Sequence, residues 1–208
     1  MLYTPDEDLQ ERKSALRREM LARRRAFSPT ERRALDAVIR ERAMQLPVLQ
    51  RARTVMLYAS TADEIDLLPL TTALLEKGRR AAFPEITGKG MMEARELSSS
   101  DLLIEGAFGI LTPDPARSVQ IPPDEIDLII VPGAAFSADG SRLGLGGGYY
   151  DRYLPRAEGA CRLVLAYDVQ VVSEIPMGTQ DARVDCILTE RRTICCRDAV
   201  MNNLEEEV

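Results

Sequence analysis

Residues 126–154 read IDLIIVPGAAFSADGSRLGLGGGYYDRYL, and this stretch decides the fold class. Ile126–Val131 is an apolar run of strand length, as expected for a strand buried on both faces of a sheet. Pro132-Gly133 ends it. Gly144, Gly146, Gly147 and Gly148 follow, and from Tyr149 to Leu154 the pattern is helical. A second apolar run, Arg162–Tyr167 (RLVLAY), reads as another buried strand. Strand, glycine turn, helix and strand in that order are the signature of a mostly parallel sheet covered by helices.

Working outward, the same alternation recurs. Thr54–Ala59 predicts a strand, Leu67–Lys77 a helix ended by Gly78, Arg79–Phe83 a strand, and Val184–Leu188 a shorter one. Towards the N-terminus, Lys13–Arg25 predicts a helix with Leu16, Met20 and Leu21 on one stripe. Ser28-Pro29-Thr30-Glu31 offers a capping Ser, a first-turn Pro and a Glu three residues past the cap, followed by Leu35, Val38, Ile39, Ala43 and Leu46 at helical spacing. Pro47 is expected to close that helix. The resulting fold class is α/β, a three-layer α/β/α arrangement with a mostly parallel sheet and an N-terminal helical pair. One domain is expected over 1–208, with a basic helical segment at 1–47 and a frayed acidic tail at 200–208.

Composition narrows the chemistry. Across 208 residues, 45% are hydrophobic and 29% charged, the usage of an ordinary globular chain. No apolar stretch approaches the roughly 20 residues that cross a bilayer, and the opening MLYTPDEDLQERK is acidic where a secretory signal is basic and then apolar. Cys161, Cys186, Cys195 and Cys196 show no CxxC spacing and are expected to be reduced thiols in a cytoplasmic protein. There is no histidine at all. That removes Ser-His-Asp and Cys-His arrangements, imidazole zinc sites and an imidazole base, leaving carboxylates, Lys, Arg, Tyr, backbone amides or a hard metal ion. Residues 11–53 hold 13 Lys or Arg against 5 Asp or Glu, in a chain of net charge −6. Such a segment binds nucleic acid, lies over an acidic body or reaches toward a phosphorylated ligand. The acidic total and the lack of interleaved aromatics favour the last two, so neither nucleic acid nor membrane is expected as a partner.

The glycine cluster can turn its amides inward to meet an anion, with Arg142 at the loop's mouth adding a bidentate phosphate contact and Asp151 in the first helical turns. Taken alone, GxGGG also describes a plain flexible turn. A strand before it, a helix after it and the flanking Arg and Asp favour the phosphate loop. It is not a Walker motif, since no GK[ST] follows, and Tyr149 stands where a dinucleotide fingerprint needs its third Gly.

With these residues in view, the sequence resembles the 5-formyltetrahydrofolate cyclo-ligases, also called methenyltetrahydrofolate synthetases. That family's pattern is an apolar strand, PG, an aromatic, a short turn and RLGxGxGYYD; Val131-Pro132-Gly133, Phe136, Gly140 and Arg142–Asp151 match it in order. Lys13-Ser14-Ala15-Leu16-Arg17 is similar to its KxxLR, Asp63-Glu64-Ile65 to its DEI, and Asp181 with Val184-Asp185 to its D-x-x-V-D. Phe108-Gly109-Ile110 and Ala166-Tyr167-Asp168 with Gln170 also match. Two departures stand out: Gly178 and Gln180 replace a Glu and a His, and Leu111–Pro115 (LTPDP) replaces a segment running to Glu-Pro.

The resemblance implies an enzyme that converts 5-formyltetrahydrofolate to 5,10-methenyltetrahydrofolate with ATP and Mg²⁺. It implies ATP contacts from Lys13, Ser14, Ala15, Leu16, Arg17, Arg142, Leu143, Gly144, Leu145, Gly146, Gly147, Gly148, Tyr149 and Tyr150, of which Lys13, Arg142 and Tyr150 are catalytic. Folate contacts come from Ala59, Glu64, Leu145, Gly146, Gly147, Gly148 and Tyr149, and metal contacts from Asp151 and Asp181. By residue type alone, Lys13 and Arg17 read as a solvated helix face, Glu64 as a loop carboxylate, Asp181 as a turn residue, and one of Tyr149 and Tyr150 as packing. A sugar-phosphate isomerase or CoA transferase of similar fold would use the same loop, although Lys13, Arg17 and two aspartates suit ATP and Mg²⁺ better than a monophosphate. A non-catalytic nucleotide- or folate-binding regulator has only Gly178 and Gln180 in its favour. The sequence is compatible with a monomer or a small homo-oligomer.

Overall fold

A computed structural model describes residues 5–99 and 103–197 of the chain; the acidic tail at 200–208 lies outside the described residues. Helices α1 (Pro5–Arg25), α2 (Pro29–Gln45) and α3 (Pro47–Arg51) precede strand β1 (Thr54–Met56) and helix α4 (Leu68–Glu76). Then come β2 (Arg80–Gly88), β3 (Met91–Leu97), β4 (Leu103–Glu105), β5 (Leu111–Pro113), β6 (Gln120–Ile121), β7 (Leu128–Ile130), β8 (Ala135–Ser137) and β9 (Arg142–Leu143). Helix α5 (Tyr149–Tyr153), β10 (Cys161–Leu165), β11 (Val171–Val172), β12 (Cys186–Leu188) and β13 (Thr193–Cys195) complete the order.

Among the described residues, eight strands form the main sheet in the order β13-β12-β10-β7-β1-β2-β3-β6. The five inner strands from β12 to β2 pair in parallel, and β13, β3 and β6 are added antiparallel at the edges. Alternation along the inner strands sends neighbouring side chains to opposite faces. Val55, Leu57, Leu128, Ile130, Leu163 and Leu188 pack with Ile39, Leu49, Leu70 and Leu74 of α2, α3 and α4. Met56, Ile129, Val131, Val164 and Ile187 pack on the other side with Phe136, Tyr153 and Leu154. The expected mostly parallel, helix-flanked sheet is borne out, and its second helical layer is thin, consisting of α5 and the 3₁₀ turn Leu154–Arg156.

Several element boundaries differ from expectation for identifiable reasons. Helix α1 starts at Pro5, earlier than Lys13, because Pro suits a first helical position and Asp6, Glu7 and Asp8 fill the first turn, where the helix dipole favours negative charge. Pro47 does end α2, but its fixed φ also opens α3. Strand β2 runs through Pro84 to Gly88, since its pairing with β1 ends at Met56↔Ala82 and leaves that side without a ladder for Pro84 to interrupt. The segment after Val131 is a β8–β9 hairpin that joins β11 in a small three-stranded sheet. All four cysteines are free, and burial pushes the Cys161 thiol up to about 12 and the Cys196 thiol to about 11.

The capping box at α2 is present: the Glu31 amide donates to Ser28 Oγ at 3.3 Å, and the Ser28 amide to Glu31 Oε2 at 2.9 Å. Replacing Ser28 with Ala should therefore cost about 1 kcal/mol. For a chain of this size that lowers the thermal midpoint by roughly 2–4 °C, readable in a circular-dichroism melt.

Strand order places the functional region. From β1 the chain first adds β2 on one side, then returns to place β7, β10 and β12 on the other. The two halves diverge between β1 and β7, and crevices form beyond the carboxyl ends of strands at such a switch point.

Candidate functional site

At that switch point lies a cavity of about 420 Å³. Tyr58 and Ala59 leave the end of β1 to form one wall, and Pro132 leaves the end of β7. Glu64 closes one end. Pro84 and Ile86 of β2, Met92 of β3 and the segment Ile110–Thr112 make an apolar wall, and Gly144, Leu145, Gly147, Gly148, Tyr149, Tyr150 and Asp151 make the opposite one.

The glycine loop reaches this wall through backbone that other residues rarely adopt. Gly146 has φ 108° and Gly148 φ 66°, the latter as the residue immediately before α5. Arg142 lies under the loop rather than at its exposed mouth. Its Nη1 donates to the Pro132 carbonyl at 3.3 Å, its Nη2 to Asp151 Oδ1, and its guanidinium carbon stands 6.0 Å from the Tyr150 ring centroid. Arg142 Nε is buried without a hydrogen-bond partner. Leu143 is buried with Leu16, Met20, Ala135 and Ile175, so both Leu143 and Leu16 dock α1 against the small sheet. Leu145, by contrast, is half exposed on the loop.

Helix α1 approaches the loop from outside. Arg17 Nε donates to the Gly144 carbonyl at 2.8 Å, and burial lowers its pKa while Asp181 opposes that shift. Lys13 is buried and ion-paired with Asp181, which also accepts the Gly178 amide at 2.5 Å. Ser14 and Ala15 face solvent on the opposite side of α1. A Cβ on Gly178 would sit 3.4 Å from Leu9 Cδ2 and 3.7 Å from Lys13 Nζ. A longer acidic side chain there would compete with Asp181 for Lys13. The basic N-terminal segment lies over the body, with Arg24 on Asp63, Arg32 on the Ala62 carbonyl and Arg42 on the Thr189 carbonyl.

Asp151 and Asp181 both line a second, more open depression of about 670 Å³, together with Thr179, Gln180 and three arginines. Each is engaged, Asp151 with Arg142 and the Ala182 amide, Asp181 with Lys13 and the Gly178 amide. Among the described residues no cluster of three or more His, Cys, Asp or Glu is assembled for a metal. Two carboxylates on one depression fit a cation that takes one or two protein oxygens and otherwise water and phosphate, as Mg²⁺ does.

Glu64, also on the cavity wall, is held within its own loop. Its Oε2 accepts both the Thr61 amide and the Thr61 hydroxyl at 2.9 Å. The Tyr150 hydroxyl is buried and unpartnered. Burial pushes its pKa well above 10, the charge of Glu64 adds to the shift, and Arg142 opposes it.

The structure thus gathers Ala59, Glu64, Arg142, Tyr149, Tyr150, Asp151 and most of the glycine loop around one cavity, and sets Lys13, Arg17 and Asp181 beside it. Four contributors were not anticipated. Tyr58 and Thr61 line the cavity, and Arg24 faces Glu64. Arg152 ties the β2–β3 turn to the loop by donating to the Gly90 and Gly147 carbonyls, each at 2.7 Å. Arg24 sits two helical turns past Arg17 on the same face, the one sequence signal that could have singled it out. No helix among the described residues is long and apolar enough to cross a membrane.

Comparison with known proteins identifies the family. Residues 9–190 match the model of the 5-formyltetrahydrofolate cyclo-ligase family. The mouse 5-formyltetrahydrofolate cyclo-ligase is 29% identical over 189 residues, covering 86% of this chain and 93% of the mouse protein. That of Escherichia coli K12 is 28% identical, covering 80% and 94%. The solution structure of Aquifex aeolicus 5,10-methenyltetrahydrofolate synthetase superposes with a TM-score of 0.81 at 35% identity, covering 89% of this chain and 93% of that one. With a family match spanning residues 9–190, the chain belongs to the 5-formyltetrahydrofolate cyclo-ligase family.

Proposed function

We propose that this chain converts 5-formyltetrahydrofolate to 5,10-methenyltetrahydrofolate with ATP and Mg²⁺, acting as one domain. The observation that carries the reading is that one cavity is lined by a buried carboxylate, Glu64, and by the glycine loop, with Arg17 bonded to that loop at Gly144 and Lys13 paired with Asp181 beside it.

The chemical obstacle is an amide-like formyl oxygen that leaves poorly. Transfer of the γ-phosphoryl group to that oxygen makes it a leaving group; N10 attacks the carbon, the ring closes and phosphate departs. Phosphoryl transfer is served by positioning and positive charge, so a chain without histidine can perform it. Lys13, Arg17 and the amides of Gly144 to Gly148 would hold the phosphates. Asp151 and Asp181 would hold Mg²⁺, which supplies charge neutralisation on those phosphates. Lys13 and Asp181 neutralise each other. When nucleotide and cation arrive, each charge can exchange its partner for one of the same sign, which limits the desolvation cost of the change. Arg142 fixes Asp151 from beneath. Glu64 would accept N–H groups of the pterin, and the apolar wall of Ile86, Met92 and Ile110 would keep water from the activated carbon.

The decisive experiment mixes the protein with 5-formyltetrahydrofolate and Mg-ATP and follows the near-ultraviolet absorbance of the methenyl product. Absence of both product and ADP would sink the reading.

Tyr150 gives a pH prediction. Because its pKa is raised, the phenol stays neutral throughout the range below 10 and acts as a hydrogen-bond donor, not as a base. Tyr150→Phe should lower kcat about tenfold, the worth of one neutral hydrogen bond, and leave both limbs of the pH-rate profile where they were. Loss of a limb in this variant would contradict that role.

A further inference from the structure

Helix α1 carries a third cation in line with Arg17, which bonds the glycine loop, and Lys13, which pairs with Asp181. Lys13, Arg17, Met20 and Arg24 recur at helical spacing and share one face, which is turned toward the body of the protein. Arg24 lies deepest of the three cations, its side chain 5% exposed. Asp63 orients it: Arg24 Nε and Nη2 donate to Asp63 Oδ2 at 3.3 and 3.0 Å. The remaining nitrogen, Nη1, stands 3.6 Å from Glu64 Oε1.

Glu64 is equally enclosed, with its side chain 5% exposed. Thr61 occupies Oε2 through two hydrogen bonds, so Oε1 is the oxygen left for a ligand, and Arg24 stands beside it. The other groups near this carboxylate are poor partners. Tyr58 and Tyr150 sense its negative charge as a further rise in already raised pKa values. Arg32, on the side of α2, directs its guanidinium to the carbonyls of Ala62, Arg24 and Phe27. A carboxylate against apolar walls needs a countercharge, and a side chain with three torsions needs a fixed one if it is to aim a single oxygen.

We propose that Arg24 is a positioning residue for the folate half of the site, supplying the countercharge to Glu64 and aiming its free oxygen into the cavity. Helix α1 then serves both halves, with Lys13 and Arg17 toward the nucleotide and Arg24, two turns on, toward the carboxylate that receives the pterin. This inference rests on the folate reading above.

The test is a double-mutant cycle of Arg24→Gln and Glu64→Gln, with Arg24→Lys as the conservative variant, assayed by methenyl product formation at temperatures below each variant's melting transition. Arg24→Gln should raise KM for 5-formyltetrahydrofolate about tenfold while KM for ATP stays within twofold. Arg24→Lys should recover most of that loss, because an ammonium retains the charge. In the Glu64→Gln background, Arg24→Gln should add no further loss, since its effect passes through the carboxylate. A rise in both KM values together, failure of Lys to rescue, or equal losses with and without Glu64 would each overturn the role of Arg24. Methenyl product from the unaltered chain would leave the folate reading standing in those cases, and its absence would remove that reading and this inference together.

Discussion

Asp151→Asn should reduce kcat about 10²–10³-fold and lower the thermal midpoint as well. Asp151 is the countercharge of Arg142, a guanidinium whose side chain is only 2% exposed and whose Nε already lacks a partner. Asn keeps an acceptor oxygen but no charge, leaving a buried cation uncompensated at a cost of about 3 kcal/mol. For a chain of this length that corresponds to roughly 6–12 °C in the melting transition. The catalytic loss has a separate origin in the proposed reaction, where Asp151 supplies one of two oxygens to Mg²⁺ and a misplaced charge on the phosphates costs orders of magnitude. The two effects are separable, because raising Mg²⁺ should recover part of the rate and none of the thermal stability. A variant that melts early but turns over normally would reduce Asp151 to a structural partner of Arg142.

Lys13→Met should reduce kcat/KM for ATP by about 10²-fold, with KM for 5-formyltetrahydrofolate little changed. Met fills the aliphatic volume of the buried stem and removes the ammonium together with its ion pair to Asp181. Asp181 retains the Gly178 amide and an edge on the open depression, so the structural cost is small. Steady-state kinetics with each substrate varied in turn decide the matter. If Lys13 and Asp181 formed a purely structural pair, Lys13→Met and Asp181→Asn would shift melting by similar amounts and neither would change turnover. A large kinetic effect at nearly constant melting temperature is the expected result.

These predictions draw on different depths of information. The strand-loop-helix run from Ile126 to Leu154 was legible because its signals are local: apolar runs of strand length, glycines where the backbone needs positive φ, and a helical period after them. The capping box of α2 was legible for the same reason, since Ser28 and Glu31 satisfy each other's amides within four residues. The family motif made Lys13, Glu64 and the two aspartates candidates. It did not say what they touch. The β8–β9 hairpin and α3 were missed, because two- to five-residue elements carry too few residues to establish a period and are stabilised by what they pack against; strand β3, seven residues long, was missed as well.

The sequence by itself determined the sheet class, the glycine turn, the exclusion of imidazole chemistry and the presence of a basic first helix. Only the tertiary structure decided that Arg142 sits beneath the loop, that Lys13 meets Asp181 from 168 residues away, and that Arg24 faces Glu64. The physical reason is range. Backbone preference and amphipathic period act over a few residues and state which face of α1 is buried. Which carboxylate each buried cation meets depends on strand order, and strand order is set by the packing of the whole sheet.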